Sequence, residues 1–250
     1  MFFWVLWCLS CASSPTGRWQ LMMRSNDSMN EAGEEAFEQI KSKIPIDDSY
    51  STNSYVKCIS YALINAIDQD TEELGIENWE IVVFKKDAIN AFALPGGKIG
   101  VFTGIFQIAR NKNQLAAVIG HEISHVLARH SHERSSQGII TAGFSIIVGI
   151  ITGIPIRAIS SVSQLGLLPF SRTHESEADE MGMDLMARAG FDPHGAVQVW
   201  QNMADARESS SPELLSTHPS DETRIEKLEE NLDYALDLYQ SAGNRPSCSM

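Results

Sequence analysis

Two histidines four residues apart, His121 and His125, constrain the fold of this chain more than any other feature. They belong to the sequence His-Glu-Ile-Ser-His. Residues 114–132 contain no proline, and no glycine after position 120, so we predict that they form one helix. Imidazoles at this spacing share a helical face and can reach one metal ion, while Glu122 points toward the metal's open side. The pattern is typical of zinc hydrolases.

The third metal ligand distinguishes the classes of zinc hydrolase. One class extends the motif to H-E-x-x-H-x-x-G-x-x-H, but this chain has Ala128 and Ser131 where that pattern needs glycine and histidine. Downstream, residues 174–179 read His-Glu-Ser-Glu-Ala-Asp. In a helix, Glu175 and Asp179 lie one turn apart on one face, so one carboxylate can bind the metal while the other accepts the free N–H of a ligating histidine. Alone, such residues usually form a solvated face; beside the first motif they favour a metal site.

Four motifs in this order resemble those of a known peptidase family. They are N-A-F-A-L-P-G-G-K-I-G-V at residues 90–101, H-E-I-S-H, S-R-T-H-E-S-E-A-D at residues 171–179, and Thr-His-Pro at residues 217–219 followed by Arg-Ile. The chain resembles the HtpX-like and CAAX prenyl endopeptidase family of zinc metallopeptidases, which are gluzincins, and is closest in plan to single-domain bacterial lipoprotein members. The resemblance covers residues 29–238.

The resemblance implies a fold and a set of site residues. It implies a gluzincin-type α+β fold that is mostly helical, with a small β-sheet over the active-site helix. His121, His125 and Glu175 match the family's ligands for one Zn²⁺ per chain. Glu122 matches its general base, and Asp179 matches the carboxylate that supports a ligating histidine.

Two further residues, His218 and Arg224, match a segment that the family places at the active-site cleft. Both are candidates to donate a hydrogen bond to the oxyanion that forms when water attacks a carbonyl group. Because Pro219 restricts the residue before it to extended conformations, it helps to aim the imidazole of His218. Two roles stay open for His218: a ligand that occupies the zinc's open position in a resting state, or a donor to the reaction intermediate.

The residue types together indicate a reaction. Zinc held by three protein ligands keeps a position open for water and lowers its pKa toward about 7. Glu122 takes the proton as this water attacks a peptide carbonyl, and then delivers it to the leaving amine. We predict a zinc metalloendopeptidase that acts on unfolded or misassembled polypeptides of the cell envelope. The alternatives are a zinc-stabilised binding or chaperone module, against which the presence of Glu122 argues, and a zinc hydrolase of another bond, such as an amidase.

The periodicity of the chain predicts the other elements. We expect helices at 28–43, 53–68 and 221–240, strands at 79–84, 91–94 and 98–102, and a hairpin turn at 95–97. The resemblance assigns the strand at 91–94 to the edge that binds an extended peptide by strand addition. A structural hairpin without a ligand is the alternative.

The first residues resemble an export signal. Residues 1–11 form a short apolar run, too short to cross a bilayer, and Cys11 follows Leu-Ser as at a bacterial lipoprotein processing site. We predict export by residues 1–11, a linker at 12–27, a metallopeptidase domain at 28–241 and a tail at 242–250. The protein would then lie on the periplasmic side of a bacterial cell envelope, anchored to the membrane by lipid at Cys11. A buried N-terminal strand is the alternative.

Two cysteines remain in the body of the chain, Cys58 and Cys248. In an oxidising compartment they can form a disulfide, and otherwise they are two free thiols. Residues 139–156 carry no charge and are predicted to form a buried helix, with contact to lipid as the alternative. The net charge of −13 argues against nucleic acid as a partner, because phosphates would be repelled.

Two histidines near the first motif are excluded as ligands by helical geometry. In one continuous helix, His130 lies on the side opposite His121, and His132 lies about 16 Å along the axis from it.

Overall fold

The computed structural model describes residues 11–69, 71–136, 170–209, 213–218 and 222–250. Helices dominate these residues, and two small sheets accompany them, which confirms the α+β, mostly helical fold class. The first ten residues of the predicted export segment and the predicted helix at 139–156 lie outside the described residues. In the part of the chain that is described, no helix combines the length and the apolar composition needed to cross a membrane.

The secondary-structure elements follow one another in chain order. The strands are β1 (Cys11–Ser13), β2 (Trp19–Leu21), β3 (Glu80–Phe84), β4 (Ala91–Leu94) and β5 (Lys98–Phe102). The helices are α1 (Asn26–Lys43), α2 (Tyr50–Ile64), α3 (Lys112–Leu127), α4 (His130–Arg134), α5 (Arg172–Arg188), α6 (His194–Ser209), α7 (Leu214–Thr217), α8 (Glu222–Glu230) and α9 (Leu232–Ser241). Short 3₁₀ turns occupy Glu72–Leu74 and Thr103–Gln107.

The larger sheet has the strand order β3-β5-β4, so β4 forms one of its edges. β3 runs parallel to β5, whereas β4 and β5 form the predicted antiparallel hairpin. The turn between them needs Gly96 and Gly97, whose φ angles of 81° and 74° are easily reached only without a Cβ atom. Because the crossover from β3 leads to the far side of β5, β4 is left at the edge that faces α3.

Helix α3, which carries His121 and His125, lies at the centre of the fold. Asn111 caps its first turn by accepting from the backbone N–H groups of Asn113 and Gln114. Every residue from Gln114 to Leu127 is buried, because α2, α5, α6 and β4 all pack around this helix. A helix enclosed in this way can hold its polar side chains in fixed positions.

The prediction of one helix over residues 114–132 is wrong. Helix α3 ends at Leu127, and Arg129 adopts the left-handed conformation with φ 53° before α4 begins in a new direction. The side-chain amide of the buried Gln20 donates to the carbonyl oxygen of Ala128 at 2.7 Å, which satisfies a backbone acceptor at the break. Neither a proline nor a glycine marks this break in the sequence.

Two other segments also differ from the prediction. Residues 12–27, predicted to be a linker, include the β1–β2 hairpin, and Arg18 in its turn forms ion pairs with Glu133 and Glu177 of the helical body. The helix predicted at 221–240 is two helices, α8 and α9, which are separated at Asn231. In both segments the local structure depends on long-range contacts, which the hydrophobic periodicity of the sequence does not reveal.

A disulfide joins Cys58 in α2 to Cys248 in the C-terminal tail, which confirms the bridge and excludes the two free thiols. The two cysteines are 190 residues apart in the sequence, and their Cα atoms lie 5.7 Å apart. The bond therefore closes the chain from α2 to the C-terminal tail into one loop, which leaves β1, β2 and α1 outside it. A cross-link of this span stabilises the native state chiefly by restricting the unfolded chain.

We expect reduction of the Cys58–Cys248 bond to lower the free energy of unfolding by about 2–5 kcal/mol, because the unfolded chain regains its freedom. Urea unfolding with and without reductant measures the difference. The Cys58→Ser/Cys248→Ser double variant is the control, and its stability should not respond to reductant. An unchanged unfolding midpoint of the wild type in reductant would contradict this account.

Candidate metal centre

Four buried side chains converge on one point between α3, α5 and the end of α7. They are His121 and His125 of α3, Glu175 of α5 and His218, which directly follows α7. One donor atom from each side chain lies within 4.8 Å of those of the other three. The structure thus brings together the three residues that match the family's zinc ligands and, as a fourth donor, the candidate His218.

The separations between these donors, 3.0–3.5 Å, are close to those around a tetrahedral zinc ion, and three of the five are slightly shorter. Zinc ligands at about 2.0–2.2 Å from the ion stand roughly 3.3–3.6 Å from one another in a tetrahedron. The Nε2 atoms of His121 and His125 are 3.0 Å apart. Oε2 of Glu175 lies 3.5 Å from Nε2 of His121, and Oε1 of Glu175 lies 3.5 Å from Nε2 of His125. Nδ1 of His218 lies 3.2 Å from Nε2 of His121 and 3.0 Å from Oε1 of Glu175. Three imidazole nitrogens and one carboxylate form a donor set that zinc accepts.

The candidate metal ligands strongly influence one another's pKa values. Burial opposes the charged form of His121, but the carboxylates of Asp179 and Glu175 outweigh burial and raise the pKa of this imidazole to about 9. Burial also opposes ionisation of Glu175, yet the facing imidazoles of His218 and His121 hold the pKa of its carboxyl group well below the ordinary value. Burial and the neighbouring imidazoles lower the pKa of His125. A divalent cation would satisfy the ionised carboxylate directly.

Asp179 lies one turn after Glu175 on α5 and faces the other nitrogen of a candidate ligand. Its Oδ1 atom is 2.9 Å from Nδ1 of His121, the position expected for a carboxylate that accepts the free N–H of a ligating imidazole. A hydrogen bond between these two atoms would keep Nε2 of His121 unprotonated and directed at the other donors. Ser171 caps α5 by accepting from the backbone N–H of His174, so the first turn that presents Glu175 is fixed.

Arg224 of α8 is buried beside the same carboxylates. Its Nε and Nη2 atoms donate to the two oxygens of Asp179, each at 2.7 Å, and Nη1 lies 2.8 Å from Oε2 of Glu175. The guanidinium also stacks over the ring of Trp200 at 3.8 Å. These contacts favour a role in orienting Asp179 and Glu175 over the predicted donation to an oxyanion, because the planar fork is directed at the carboxylates.

Glu122, the candidate base, lies between the metal site and the sheet. Burial is the main reason that its pKa is raised above the ordinary value of a carboxyl group, although the nearby imidazoles oppose the shift. The backbone N–H of Ala93 in β4 donates to the Glu122 carboxylate, and Nε2 of His218 lies 3.4 Å from Oε1 of Glu122. The edge strand, the base and the four donors therefore form one continuous site.

Helices α3 and α5 can approach closely because glycines face each other at their crossing. A Cβ atom on Gly182 would stand 2.8 Å from the backbone nitrogen of His121, and one on Gly120 would stand 3.0 Å from the carbonyl oxygen of Gly182. Both separations are shorter than ordinary carbon contacts. The glycine pair thus sets the distance between the helix that carries the two histidines and the helix that carries Glu175.

Sequence reasoning missed one histidine next to the site. His130 was expected on the opposite side of a continuous helix, but the break at Arg129 places it against His125, on the side away from the metal donors. Its Nδ1 atom lies 2.8 Å from Nδ1 of His125. His130 and His132 are not among the four convergent donors. No local sequence pattern predicts the contact between His130 and His125.

Comparisons with known proteins agree with the geometry. The model of peptidase family M48 matches residues 51–232. The mitochondrial metalloendopeptidase OMA1 of Schizosaccharomyces pombe is 40% identical over 168 residues, which cover 63% of this chain and 48% of that protein. Human OMA1 is 29% identical over 252 residues, covering 92% and 47% of the two chains.

A bacterial relative extends the comparison. The β-barrel assembly-enhancing protease of Escherichia coli is 27% identical over 209 residues, which cover 75% of this chain and 40% of that protein. The chain thus spans about half, or less, of the length of these relatives. The matches support the broader peptidase assignment, whereas the narrower resemblance to HtpX-like and CAAX prenyl endopeptidases stays a prediction.

We expect Gly182→Ala to weaken the site, because the added methyl group forces α5 away from the backbone of α3. The free energy of unfolding should fall by about 1–3 kcal/mol, as for other overpacked interiors, and zinc affinity should fall with it. Denaturant unfolding and titration with a competing chelator measure the two effects. Gly243→Ala is the matched control, since a Cβ atom there meets nothing within 4 Å. Equal behaviour of the two variants would contradict the role of the crossing.

Proposed function

The chain belongs to peptidase family M48, and from that premise we propose that it is a zinc metalloendopeptidase that hydrolyses peptide bonds in polypeptide substrates. One observation carries this proposal: four metal donors converge beside a buried glutamate, directly under the edge strand of a sheet. Since the match covers less than half of each of these relatives, the activity of this chain is proposed from its own site.

His121, His125 and Glu175 are proposed to hold the zinc ion. When bound, zinc polarises the scissile carbonyl group and lowers the pKa of an attacking water. Asp179 keeps His121 in the tautomer that presents Nε2, and Arg224 holds Asp179 and Glu175 in place. The buried ion pairs thereby fix the geometry before a substrate enters, which reduces the reorganisation needed during the reaction.

Glu122 is proposed to act as the general base and then as the general acid. It takes a proton from the attacking water and delivers it to the amine of the leaving peptide. Burial supports this role, because a raised pKa brings a carboxyl group closer to the pH at which it must both accept and release a proton. The N–H of Ala93 keeps the carboxylate beside the edge strand.

β4 is proposed to bind the substrate as an added strand. Within the described residues it forms the edge of its sheet, and Ala91–Leu94 lies against α3. An extended peptide paired with this edge would be held by main-chain hydrogen bonds, which suit many sequences. Its backbone would pass close to Glu122, where hydrolysis takes place.

His218 is proposed to be the fourth ligand of a resting site. The support is the distance of its Nδ1 atom from His121 and Glu175, 3.2 Å and 3.0 Å, which is as short as the distances among the other donors. While it occupies that position, a water cannot reach the metal there. Substrate binding is proposed to displace the imidazole. The second candidate role, donation to the reaction intermediate, is supported by the proximity of Nε2 to Glu122.

The site of action is proposed to be an oxidising part of the cell envelope. The disulfide between Cys58 and Cys248 supports this, because such bonds rarely persist in a reducing cytosol. We propose further that the chain is a bacterial lipoprotein anchored at Cys11 on the periplasmic side, and that unfolded or misassembled envelope proteins are its substrates. Among the relatives, one is named for β-barrel assembly and others are mitochondrial.

Glu122→Gln should retain the fold and zinc but lose nearly all turnover, because the amide has the same shape and cannot accept the proton. Cleavage of an unfolded, fluorescently labelled casein by the purified protein measures the loss. Glu229→Gln, in an exposed position on α8, is the matched control and should cleave at the wild-type rate. Near wild-type cleavage by Glu122→Gln would reject the base. Absence of cleavage by the wild type as well would favour a zinc-stabilised binding or chaperone module.

His218→Ala should raise the basal rate of casein cleavage several-fold, because the variant leaves the fourth position open to water. His194→Ala, which changes an exposed histidine that pairs with Asp192, should have no effect. The two candidate roles predict opposite signs. Loss of a donor to the oxyanion would instead lower the rate by about two to three powers of ten, and that result would reject the resting ligand.

Labelled palmitate supplied to a bacterial host should enter the wild-type protein and the Ser13→Ala control but not Cys11→Ala. The reason is that lipid addition uses the thiol of Cys11. Immunoprecipitation followed by fluorography measures the label. An unlabelled wild type that remains in the soluble fraction would reject the lipoprotein proposal and leave the enzymatic proposal intact.

A further inference from the structure

A second polar network lies behind His125, on the side away from the metal donors. It consists of His130 and Glu133 on α4, Glu177 on α5, and Arg18 between the two strands of the N-terminal hairpin. His130 is fully buried, and its ring stacks on that of His174 with centroids 4.4 Å apart. The proposed reaction uses none of these residues. Burial of several charged groups costs free energy unless they are paired, so the network calls for an explanation.

The direction of each hydrogen bond in this network follows from one requirement. A ligating Nε2 atom of His125 carries no proton, so the proton of this imidazole is on Nδ1. That atom lies 2.8 Å from Nδ1 of His130, which must therefore accept. The proton of His130 is then on Nε2, and it is donated to Oε2 of Glu177 at 3.1 Å. The carboxylate of Glu177 accepts from His130 and thus fixes its tautomer. Through His130 it also fixes the tautomer of His125.

The N-terminal hairpin anchors the far end of this chain of hydrogen bonds. Nε of Arg18 donates to Oε2 of Glu177 at 2.8 Å, and the hydroxyl of Thr16 donates to Oε1 of the same carboxylate. The other two nitrogens of Arg18 donate to Glu133 at 2.8 Å and 2.7 Å. One guanidinium therefore connects the carboxylates of α4 and α5.

We propose that His130 is a positioning residue for the metal ligand His125, and that Arg18 of the N-terminal hairpin sets its orientation through Glu177. This inference rests on the proposed zinc site. The two histidines of α3 are then oriented by different partners: the carboxylate of Asp179 directly faces Nδ1 of His121 at 2.9 Å, whereas His125 donates to a neutral imidazole, which in turn donates to a carboxylate. Partners of this kind typically change metal affinity about 10–100-fold when they are removed.

Two substitutions of His130 separate its two hydrogen bonds. The amide oxygen of asparagine lies as many bonds from Cα as Nδ1 of histidine, and the amide nitrogen of glutamine lies as many as Nε2. His130→Asn can still accept from His125 but cannot reach Glu177, whereas His130→Gln keeps the donor to Glu177 and loses the acceptor for His125. We expect zinc affinity, measured by competition with a chromophoric chelator, to fall about 10–100-fold in His130→Gln and less in His130→Asn. Wild-type affinity in His130→Gln would overturn the proposal.

The melting temperature of the chelator-treated protein separates positioning from a purely structural role. If His130 only supports packing, both variants should melt at lower temperature while zinc dissociation constants stay at the wild-type value, and this pattern would also overturn the proposal. His194→Gln, at an exposed position, is the control for the substitution itself.

The contribution of the N-terminal hairpin to zinc affinity can be tested without a substitution near the four metal donors. Arg18→Gln should weaken zinc binding severalfold, because Glu177 loses its guanidinium partner. Arg188→Gln, which removes a surface ion pair with Asp68, should not. Equal zinc affinity in the two variants would reject the contribution of the hairpin.

Nitrogen-15 NMR of the histidine rings tests the same inference in the unaltered, zinc-loaded protein. We expect His125 to carry its proton on Nδ1 and His130 on Nε2. A proton on Nδ1 of His130 would overturn the inference. Failure of the positioning role can be told apart from failure of the proposed function. If the wild type bound no zinc at all, the metal site itself would be rejected. If the wild type bound zinc and the His130 and Arg18 variants bound it equally well, only the positioning role would be rejected.

Discussion

The close crossing of α3 and α5 at Gly120 and Gly182 is the contact on which the rest of the site depends. It brings Glu175 beside two histidines that precede it by about fifty residues in the sequence, and it leaves no room for a Cβ atom at the crossing. Because α3 is buried over fourteen consecutive residues, its polar side chains are held by packing as well as by hydrogen bonds. The crossing therefore converts two short sequence motifs into one metal centre.

Charge explains the arrangement around that centre. Buried carboxylates and imidazoles are unfavourable unless each has a partner, and here the partners come from opposite sides. Arg224 pairs with Asp179 and Glu175 beside His121, whereas Arg18 pairs with Glu177 and Glu133 behind His125. Arg18 from the N-terminal hairpin and Arg224 from α8 thus both contribute to the site. The Cys58–Cys248 bond holds the C-terminal tail against the same helical body. Zinc would supply the remaining positive charge.

The sequence predicted local features well and long-range ones poorly. The strands at Ala91–Leu94 and Lys98–Phe102 and their glycine turn were predicted correctly, because they follow short-range rules of periodicity and backbone conformation. Proximity of His121, His125 and Glu175 was also foreseen, since their spacing and order resemble a known family. The position of His130 was not foreseen, because Arg129 adopts a positive φ without being glycine and because the hydrogen bond from Gln20 to the carbonyl oxygen of Ala128 spans more than a hundred residues. The hairpin around Arg18 was missed for the same reason.

X-ray absorption at the zinc edge, recorded on the resting protein after equilibration with zinc, tests the central claim most directly. We expect one zinc ion per chain, bound only by nitrogen and oxygen at about 2.0–2.2 Å, with histidine scattering that diminishes in His125→Ala and an occupancy that collapses in Glu175→Gln. A sulfur ligand at about 2.3 Å, or full zinc occupancy in Glu175→Gln, would contradict it.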